Sequence, residues 1–493
     1  MSAAPRDPRA SSASALLALA GASLALLHFL LAQHLRVAIR DPELAVLVVA
    51  LAYFGGVSLG YGLSDRLAPH HLVRLLPLVL LGQLALFLGA QPLAAGIFVA
   101  ASRAGAGGAA AGWLAAGALG ALVSVAGTAL HAVFLPRVVS LEGCSLRRCY
   151  ALEVAGSLAG LALLGALGAL SHRLVLAAYL LGFLAIAFLV GARGVRLGLL
   201  AALAVGYAAA ADRLDRELAG RFYRGWYPDH RIVAVEHTRF SPYHKIEVAR
   251  QADGGRMLLL DGRRQFVAAD HDGYSALVAE YPARLLGAPD VCVLGCGSMS
   301  TVGRIGERAR SILVVDLDEE VFRTSRAFFA PFNRLGELRN WSFHADDAKH
   351  FLGSDGRRFD LIVDDIPPAW SRQVALTYTE QFFRLVRARL TPGGVFSMPS
   401  LVGLDAPSPY GRRLIATMAR VFERYFVVEY RGAAYFYGGG PGMPSPDEGA
   451  LRAALGEPDG GAVRLLLQPE VERAVAGEPI ITVDNLADLI DAR

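Results

Sequence analysis

Seven long apolar runs in the N-terminal part of the chain constrain its fold more than any other feature of the sequence. Each run approaches the roughly 20 residues that an α-helix needs to cross a bilayer. The sequence therefore predicts an N-terminal all-α polytopic membrane bundle over residues 1–211, with about seven spans and with six or eight as alternatives. The runs cover residues 16–31, 44–63, 72–88, 113–134, 152–170, 174–190 and 197–211.

Composition supports a membrane part joined to a globular part. The 493 residues are 54% hydrophobic and the mean hydropathy is +0.41, which is high for a soluble protein. The net charge is only +4, so the charge balance gives no reason to expect a nucleic-acid partner. The four cysteines, Cys144, Cys149, Cys292 and Cys296, show neither zinc-site spacing nor a disulfide framework.

A few residues inside the apolar runs are polar or small. His28, His131 and Glu153 are ionisable, and we interpret them as residues near span ends whose side chains reach the interface. The small residues between Gly156 and Gly160 indicate close packing of one helix on another.

The C-terminal half is organised around a β-α-β pattern at 291–318. A short apolar run ends at Gly295 and Gly297, a helix is predicted over 299–309, and a second apolar run ends in Asp316. Glycines let the backbone approach a ligand closely, and an acidic residue about 20 positions later can reach ribose hydroxyls. The pattern therefore predicts a nucleoside-binding turn.

Further strands and helices alternate around this unit. A charged segment at 212–229 is predicted to be a linker, and a small β-hairpin region follows at 230–269, with its turn at Asp253-Gly254-Gly255. Beyond it, the alternation predicts an α/β, Rossmann-like, doubly wound parallel sheet. The predicted strands are 231–235, 244–249, 256–260, 265–268, 343–345, 359–363 and 395–398, and the predicted helices include 270–286 and 379–390.

Acidic residues follow three of the predicted parallel strands. Asp316 ends one strand, the pair Asp346 and Asp347 ends the next, and the pair Asp364 and Asp365 ends a third. The carboxyl ends of parallel strands meet at one edge of a sheet, so we expect these carboxylates to share a crevice. That arrangement suits a nucleoside that carries a cation.

Six segments in this half resemble one family, the polyamine aminopropyltransferases (spermidine synthases), and in particular its membrane-fused members. The resemblance covers residues 243–400 and implies that the domain binds decarboxylated S-adenosylmethionine as co-substrate. A diamine such as putrescine would attack it, giving spermidine and methylthioadenosine. The segments, in the family order, are LLLDGRRQFVAADHDGYSALVAEYP, VLGCGS, VVDLDEEV, ADDAKHFL, FDLIVDDIPP and LTYTEQFFRLVRARLTPGGVF.

The resemblance implies a role for each motif residue. Asp365 matches the general base, and Asp316 and Asp347 match the acids that contact the ribose hydroxyls and the adenine amine. Residues on the nucleoside side are Gly295, Gly297, Asp316, Asp346 and Asp347, and those on the diamine side are Gln265, Tyr274 and Tyr378.

Three positions depart from the family pattern. Ser298 stands where an aspartate grips the aminopropyl amine, Pro368 where a second acid follows the base, and Ala276 where a glutamate is usual. Asp270, Asp272 and Asp364 are candidates to compensate. Two alternatives therefore stay open: an S-adenosylmethionine-dependent transferase with another acceptor, or a non-catalytic nucleoside- or polyamine-sensing domain on a membrane transport module.

The remaining expectations concern organisation and location. We expect the Rossmann-like domain at 270–440, a C-terminal extension at 441–493, no metal and no permanently bound cofactor. The partners expected are the small polyamine and adenosyl substrates and the lipid bilayer, and a homo-oligomer stays open. Basic residues before the first run and between the fourth and fifth indicate cytoplasmic segments, which conflicts with seven spans if the C-terminal half is cytoplasmic. We expect a multi-pass protein of the cell (inner) membrane whose soluble domain is cytoplasmic, because the adenosyl substrate is made there.

Overall fold

The chain is described from a computed structural model that covers residues 8–39, 42–103, 108–142, 145–168, 171–267, 271–295, 297–369, 372–456 and 463–486. It forms two compact units. The N-terminal unit comprises Met1–Gly254 and Leu259–Arg263, and the C-terminal unit comprises Gly255–Leu258 and Arg264–Arg493. Cys144, Cys296 and Asp270 lie outside the described residues, while Cys149 and Cys292 are free thiols.

Eight helices make up most of the N-terminal unit. Seven helices in the described ranges are long and apolar enough to cross a membrane, which confirms the predicted count on length and composition. The helix that contains Pro92 is continuous from Pro69 to Arg103. The helices are α1 (Pro8–Ile39), α2 (Pro42–Leu63), α3 (Pro69–Arg103), α4 (Gly108–Ala132), α5 (Phe134–Glu142), α6 (Leu146–Gly168), α7 (His172–Val190) and α8 (Gly194–Trp226).

Helix α8 continues well beyond its apolar part. Residues 212–226, predicted as a linker, complete the same helix and end at Trp226. Charged side chains are compatible with this continuation because they pair along the helix surface, as Arg213 does with Glu217 at 3.1 Å. The segment is thus a helical extension of the last candidate span.

Small residues bring α1 and α6 into close contact. A Cβ added to Gly156 would lie 2.1 Å from the carbonyl oxygen of Ala18, and one added to Gly160 would lie 2.7 Å from that of Ala22. Both glycines are buried. The predicted packing role of the small residues is therefore confirmed, since any side chain there would separate the backbones.

His28 and His131 both have polar contacts inside the bundle, and their reach to a membrane interface stays a prediction. His28 lies in the interior of α1, where its Nε2 is 3.1 Å from the hydroxyl of Thr128. His131 is 1% exposed, and its Nδ1 is 2.8 Å from the carbonyl oxygen of Gly127. Each ring thus has one nitrogen in contact with a polar group of α4, while Nε2 of His131 is buried without a hydrogen-bond partner in the described residues.

A four-stranded sheet with the order β1-β2-β3-β4 follows the helices, and the predicted turn after β2 is confirmed. Strands β1 and β2 pair antiparallel, and β1 runs five residues past its predicted end. Chain segments from β3 and β4 belong to both units. The strands are β1 (Ile232–Phe240), β2 (Lys245–Gln251), β3 (Arg256–Leu260) and β4 (Arg263–Val267).

An eight-stranded sheet forms the centre of the C-terminal unit, in the order β12-β10-β11-β9-β8-β5-β6-β7. The five strands from β9 to β7 are parallel, and the other three join antiparallel. This confirms the doubly wound sheet. The strands are β5 (Asp290–Leu294), β6 (Ser311–Asp316), β7 (Trp341–Ala345), β8 (Phe359–Asp364), β9 (Leu390–Pro399), β10 (Arg424–Tyr430), β11 (Ala433–Gly439) and β12 (Val463–Leu467).

Helices cover the sheet and show two differences from prediction. The predicted helix at 270–286 is interrupted by a π-helical turn at Ala276–Glu280. The strand predicted at 395–398 begins earlier, at Leu390. The helices are α9 (His271–Ser275), α10 (Tyr281–Leu286), α11 (Ser300–Ile305), α12 (Glu319–Phe328), α13 (Ala330–Asn333), α14 (Ala348–Ser354), α15 (Arg372–Ala375), α16 (Glu380–Ala388), α17 (Tyr410–Ala419), α18 (Glu448–Leu455) and α19 (Gln468–Ala474).

Candidate active site

The carboxyl ends of four parallel strands form one continuous edge. Backbone hydrogen bonds extend the sheet pairing by one residue beyond the strands: Gly295 donates to Val315 at 2.8 Å and Asp365 donates to Leu294 at 2.8 Å. After β7, the backbone N–H of Asp346 likewise donates to the carbonyl oxygen of Asp316 at 3.1 Å. Strand β5 lies between β6 and β8, where the strand order reverses, which is the usual position of a ligand crevice in such sheets.

The turn after β5 requires glycine for two separate reasons. Gly295 has φ +88° and Gly297 has φ +43°, a region that other residues rarely adopt. A Cβ on Gly295 would also lie 2.6 Å from the carbonyl oxygen of Asp365. The turn therefore packs directly on the loop that follows β8. The absence of side chains on both glycines would also let a ligand approach the backbone closely.

Asp365 lies in this crevice with both carboxylate oxygens oriented. The hydroxyl of Tyr274 donates to Oδ1 at 2.8 Å, and the hydroxyl of Thr301 donates to Oδ2 at 2.9 Å. Burial raises the pKa of Asp365 to about 6; the two hydrogen bonds oppose this rise and the nearby Asp316 adds to it. Such a carboxylate is a competent general base near neutral pH.

Asp364 has a different environment from its neighbour, as strand alternation predicts. Its side chain is 1% exposed, Oδ1 accepts from the backbone N–H of Ile366 at 3.0 Å, and Oδ2 is buried without a hydrogen-bond partner in the described residues. Burial raises the pKa of Asp364 to about 8. At neutral pH this carboxyl is therefore mainly protonated and unsuited to accept a proton.

The three acids predicted on the nucleoside side all lie at the strand ends, and each is partly exposed. Asp316 accepts from the backbone N–H of Asp318 at 2.7 Å. Asp347 caps α14 by accepting from the N–H of Lys349 at 2.9 Å and of His350 at 3.1 Å. The His350 side chain, 2.8 Å from Asp346, is the main cause that lowers the pKa of Asp346.

The three residues predicted for the diamine side differ in their placement. Tyr274 reaches Asp365, as described above. Tyr378 is 2% exposed, and its hydroxyl contacts the carbonyl oxygens of Pro367 at 2.9 Å and Ile366 at 3.3 Å, so it holds the loop after β8. Gln265 lies on β4 and is partly exposed.

The departures from the family pattern are visible in the same region. Ser298 is 4% exposed, and its hydroxyl contacts that of Ser300 at 2.9 Å. Ala276 is fully buried at the start of the π-helical turn, and Pro368 lies in the loop after β8. Asp364 is buried and does not supply a replacement acid, and the side chains of the other two candidates, Asp270 and Asp272, lie outside the described part.

Sequence analysis missed Thr301, which is 1% exposed and fixes Asp365. One feature of the sequence could have indicated it: Thr301 lies in the first turn of the helix that follows the glycines, and this helix starts beside the strand ends. No group of three or more side chains suited to metal binding occurs among the described residues.

The fold and site define an α/β protein of the doubly wound class with its ligand crevice at the strand ends. Residues 272–410 match the family described as the spermine/spermidine synthase domain. This matched segment lies wholly within the C-terminal unit, so that unit is similar to the spermine/spermidine synthase domain.

Individual relatives agree with this assignment. The polyamine aminopropyltransferase of Aeropyrum pernix is 30% identical over 201 residues, which is 37% of this chain and 60% of the relative. That of Synechococcus sp. is 26% identical over 305 residues, which is 54% of this chain and 95% of the relative. That of Nitrosomonas europaea is 28% identical over 191 residues, and the match spans 57% of its length.

Solved structures of similar proteins cover about half of this chain. The spermidine synthase from Thermotoga maritima has 16% identity and a TM-score of 0.40, with 49% of this chain and 87% of that one covered. A spermidine synthase in complex with the transition-state analogue AdoDATO has 16% identity and a TM-score of 0.42, with 49% and 88% covered.

Proposed function

We propose that the protein transfers an aminopropyl group from decarboxylated S-adenosylmethionine to an amine, releasing methylthioadenosine. The observation that carries this proposal is the carboxylate of Asp365, fixed by Tyr274 and Thr301 beside a glycine turn. The named activity of the relatives supports it.

In the proposed reaction Asp365 acts as the general base. The acceptor arrives as an ammonium ion, and only its neutral form has a lone pair for attack. Asp365 takes the proton, and the neutral nitrogen attacks the aminopropyl carbon that is bonded to sulfur. The bond between that carbon and sulfur breaks, and its electron pair stays on sulfur and neutralises the sulfonium. The hydroxyls of Tyr274 and Thr301 fix the orientation of the carboxylate, and burial raises its basicity.

On the nucleoside side, we propose that Asp316 accepts the ribose hydroxyls and Asp347 contacts the adenine amine. Gly295 and Gly297 leave room for the backbone to approach the ligand. Asp347 already uses Oδ1 to cap α14, which fixes the direction of its side chain.

The acceptor is the least constrained part of the proposal. No carboxylate stands at the three positions where the resemblance leads us to expect acids that bind the amines. These positions are occupied by Ser298, Ala276 and Pro368. A site without these carboxylates would hold a dicationic diamine less tightly than a site that has them. This observation favours, as a second candidate, an S-adenosylmethionine-dependent transferase with a different acceptor.

We further propose that the seven apolar helices anchor the protein in the cell membrane with its C-terminal unit in the cytoplasm. We expect activity from a reporter that is fused at the C-terminus and works only in the cytoplasm. Activity only on the outer side would contradict this proposal and support the positive-inside count for seven spans.

The reaction is tested with the full chain in detergent. Putrescine and decarboxylated S-adenosylmethionine are supplied, and methylthioadenosine and spermidine are measured by mass spectrometry. Formation of both in equal amounts is expected, and it should be lost in Asp365→Asn. Methylthioadenosine without spermidine would point to another acceptor, whereas binding of methylthioadenosine without any turnover would support the sensing alternative.

A further inference from the structure

The N-terminal unit contains a cavity of about 360 Å³ that the proposed reaction does not use. Its walls come from α1, α3, α7, α8 and β1, all within that unit. One end of the cavity is apolar and includes Phe87, Leu176 and Leu180, which belong to candidate membrane spans. The other end is polar and lies where α8 changes from apolar to charged sequence, at Ala211 and Asp212.

Both carboxylates in the polar wall already have a cationic partner within the protein. Asp215 accepts from the ammonium of Lys245 at 2.9 Å and from the hydroxyl of Thr238 at 2.8 Å. Asp212 forms an ion pair with Arg173. Neither carboxylate therefore needs a cation from a ligand, and a cationic occupant such as a polyamine would gain little from them.

The wall keeps an excess of positive charge. Arg216 and Arg239 also line the cavity, and no hydrogen bond or ion pair joins the half-buried Arg216 to any residue in the described ranges. Burial lowers the pKa of His237, another wall residue, and the guanidinium groups of Arg239 and Arg216 lower it further. This is the effect expected of a positive local potential.

Helix α7 adds to the same potential. Its N-cap Ser171 and the first helical residue, His172, line the cavity, so the positive end of a 19-residue helix faces it. The ring of His172 stacks on Phe240 at 4.3 Å and His34 stacks on Phe87 at 4.8 Å, so the rings at the boundary of the two ends are held in place.

We propose that this cavity binds an acidic amphiphile, with its anionic group at Arg216 and its hydrocarbon chain between α3 and α7. The position of the polar end, at the charged limit of α8, fits a molecule whose head lies at a membrane surface. The anionic group has two possible sources, the phosphate of a membrane phospholipid or the carboxylate of a free fatty acid, and both present the same chemistry to Arg216.

The test uses the delipidated full chain in a neutral detergent. Dioleoyl phosphatidylglycerol, dioleoyl phosphatidylcholine, oleate and glycerol phosphate are added separately, and bound copies and apparent Tm are measured by native mass spectrometry and thermal unfolding. The proposal expects one bound phosphatidylglycerol or oleate per chain and a raised apparent Tm, since a ligand of the folded state stabilises it. The tighter of the two identifies the source of the anionic group.

Three variants make the test specific. Arg216→Gln should weaken binding at least tenfold, whereas Arg213→Gln, which alters an exposed arginine on the same helix, should leave it unchanged. Ala208→Phe should reduce binding by filling the apolar end. Equal binding of phosphatidylcholine, equal binding of glycerol phosphate, or equal losses in the two arginine variants would each overturn the proposal.

Discussion

Thr301 donates a 2.9 Å hydrogen bond to Oδ2 of Asp365, which lies 64 residues later in the chain. The bond links the turn after β5 to the loop after β8, which are also joined by the close contact of Gly295 with the backbone of Asp365. The proposed base is therefore positioned by the same elements that form the proposed nucleoside-binding turn. The orientation of its carboxylate and its pKa both depend on the hydroxyl groups of Thr301 and Tyr274.

Removal of the proposed base should abolish most turnover without loss of nucleoside affinity. Asp365→Asn keeps the shape and one acceptor oxygen but cannot accept the proton, so the rate should fall by about 10²–10⁴. Calorimetry with methylthioadenosine should show unchanged affinity. The matched variant is Asp364→Asn, which replaces a carboxyl that is already protonated at neutral pH and should keep its turnover. Equal losses in the two variants would remove Asp365 from the mechanism.

The acid limb of the pH profile should report the pKa of Asp365. The base is active only when ionised, so kcat/KM should fall as the pH drops through about 6. The hydroxyl of Thr301 stabilises the ionised form, so Thr301→Val should raise that pKa and move the acid limb upward by about half to one pH unit. Tyr274→Phe should act in the same direction. A downward shift in either variant would contradict the assignment.

Asp364 should make the folded state less stable as the pH rises. Its pKa is about 8 in the folded protein against an ordinary value of 3.8, so between these values the folded state binds more protons than the unfolded state. By linkage, its contribution to the free energy of unfolding falls as the pH rises through this window and is constant above pH 8. Relative to Asp364→Asn, the wild-type apparent Tm should therefore decrease from pH 5 to pH 8. Parallel curves would show that Asp364 does not titrate as described.

Gly295→Ala should disrupt the crevice. The new methyl group would lie 2.6 Å from the carbonyl oxygen of Asp365, and the residue would keep a φ of +88° that alanine adopts only at a cost of about 1–3 kcal/mol. We expect a lower apparent Tm and loss of methylthioadenosine binding. Gly353→Ala, in α14 with open space around its Cβ position, is the control and should change neither property. Normal binding by Gly295→Ala would show that the turn does not approach the nucleoside.

The nucleoside pocket is tested at Asp316. Asp316→Asn retains an acceptor for the backbone N–H of Asp318 but lacks the charge that strengthens hydrogen bonds to ribose hydroxyls. Methylthioadenosine binding should weaken by about 1.5–3 kcal/mol, the scale of a hydrogen bond to a charged group. Calorimetry measures this directly, and an unchanged Kd would exclude Asp316 from ribose recognition.

The sequence by itself determined the two-part organisation, because long apolar runs and strand-helix alternation are local patterns that need no knowledge of contacts. It also located the acids at the strand ends, since parallel strands bring their carboxyl ends to one edge. The turn at Gly295 followed for the same reason: a glycine after a buried strand marks a backbone conformation that other residues avoid.

Only the tertiary structure decided which of two adjacent aspartates is available as a base. Asp364 and Asp365 are identical in type, and their difference arises from burial on one side and two hydroxyl donors on the other. The role of Thr301, the loop contact of Tyr378 and the charged cavity beside α8 likewise depend on residues far apart in the chain. Hydration and hydrogen bonding at a site depend on every element packed around it, so folding had to bring those elements together before the chemistry of each side chain was defined.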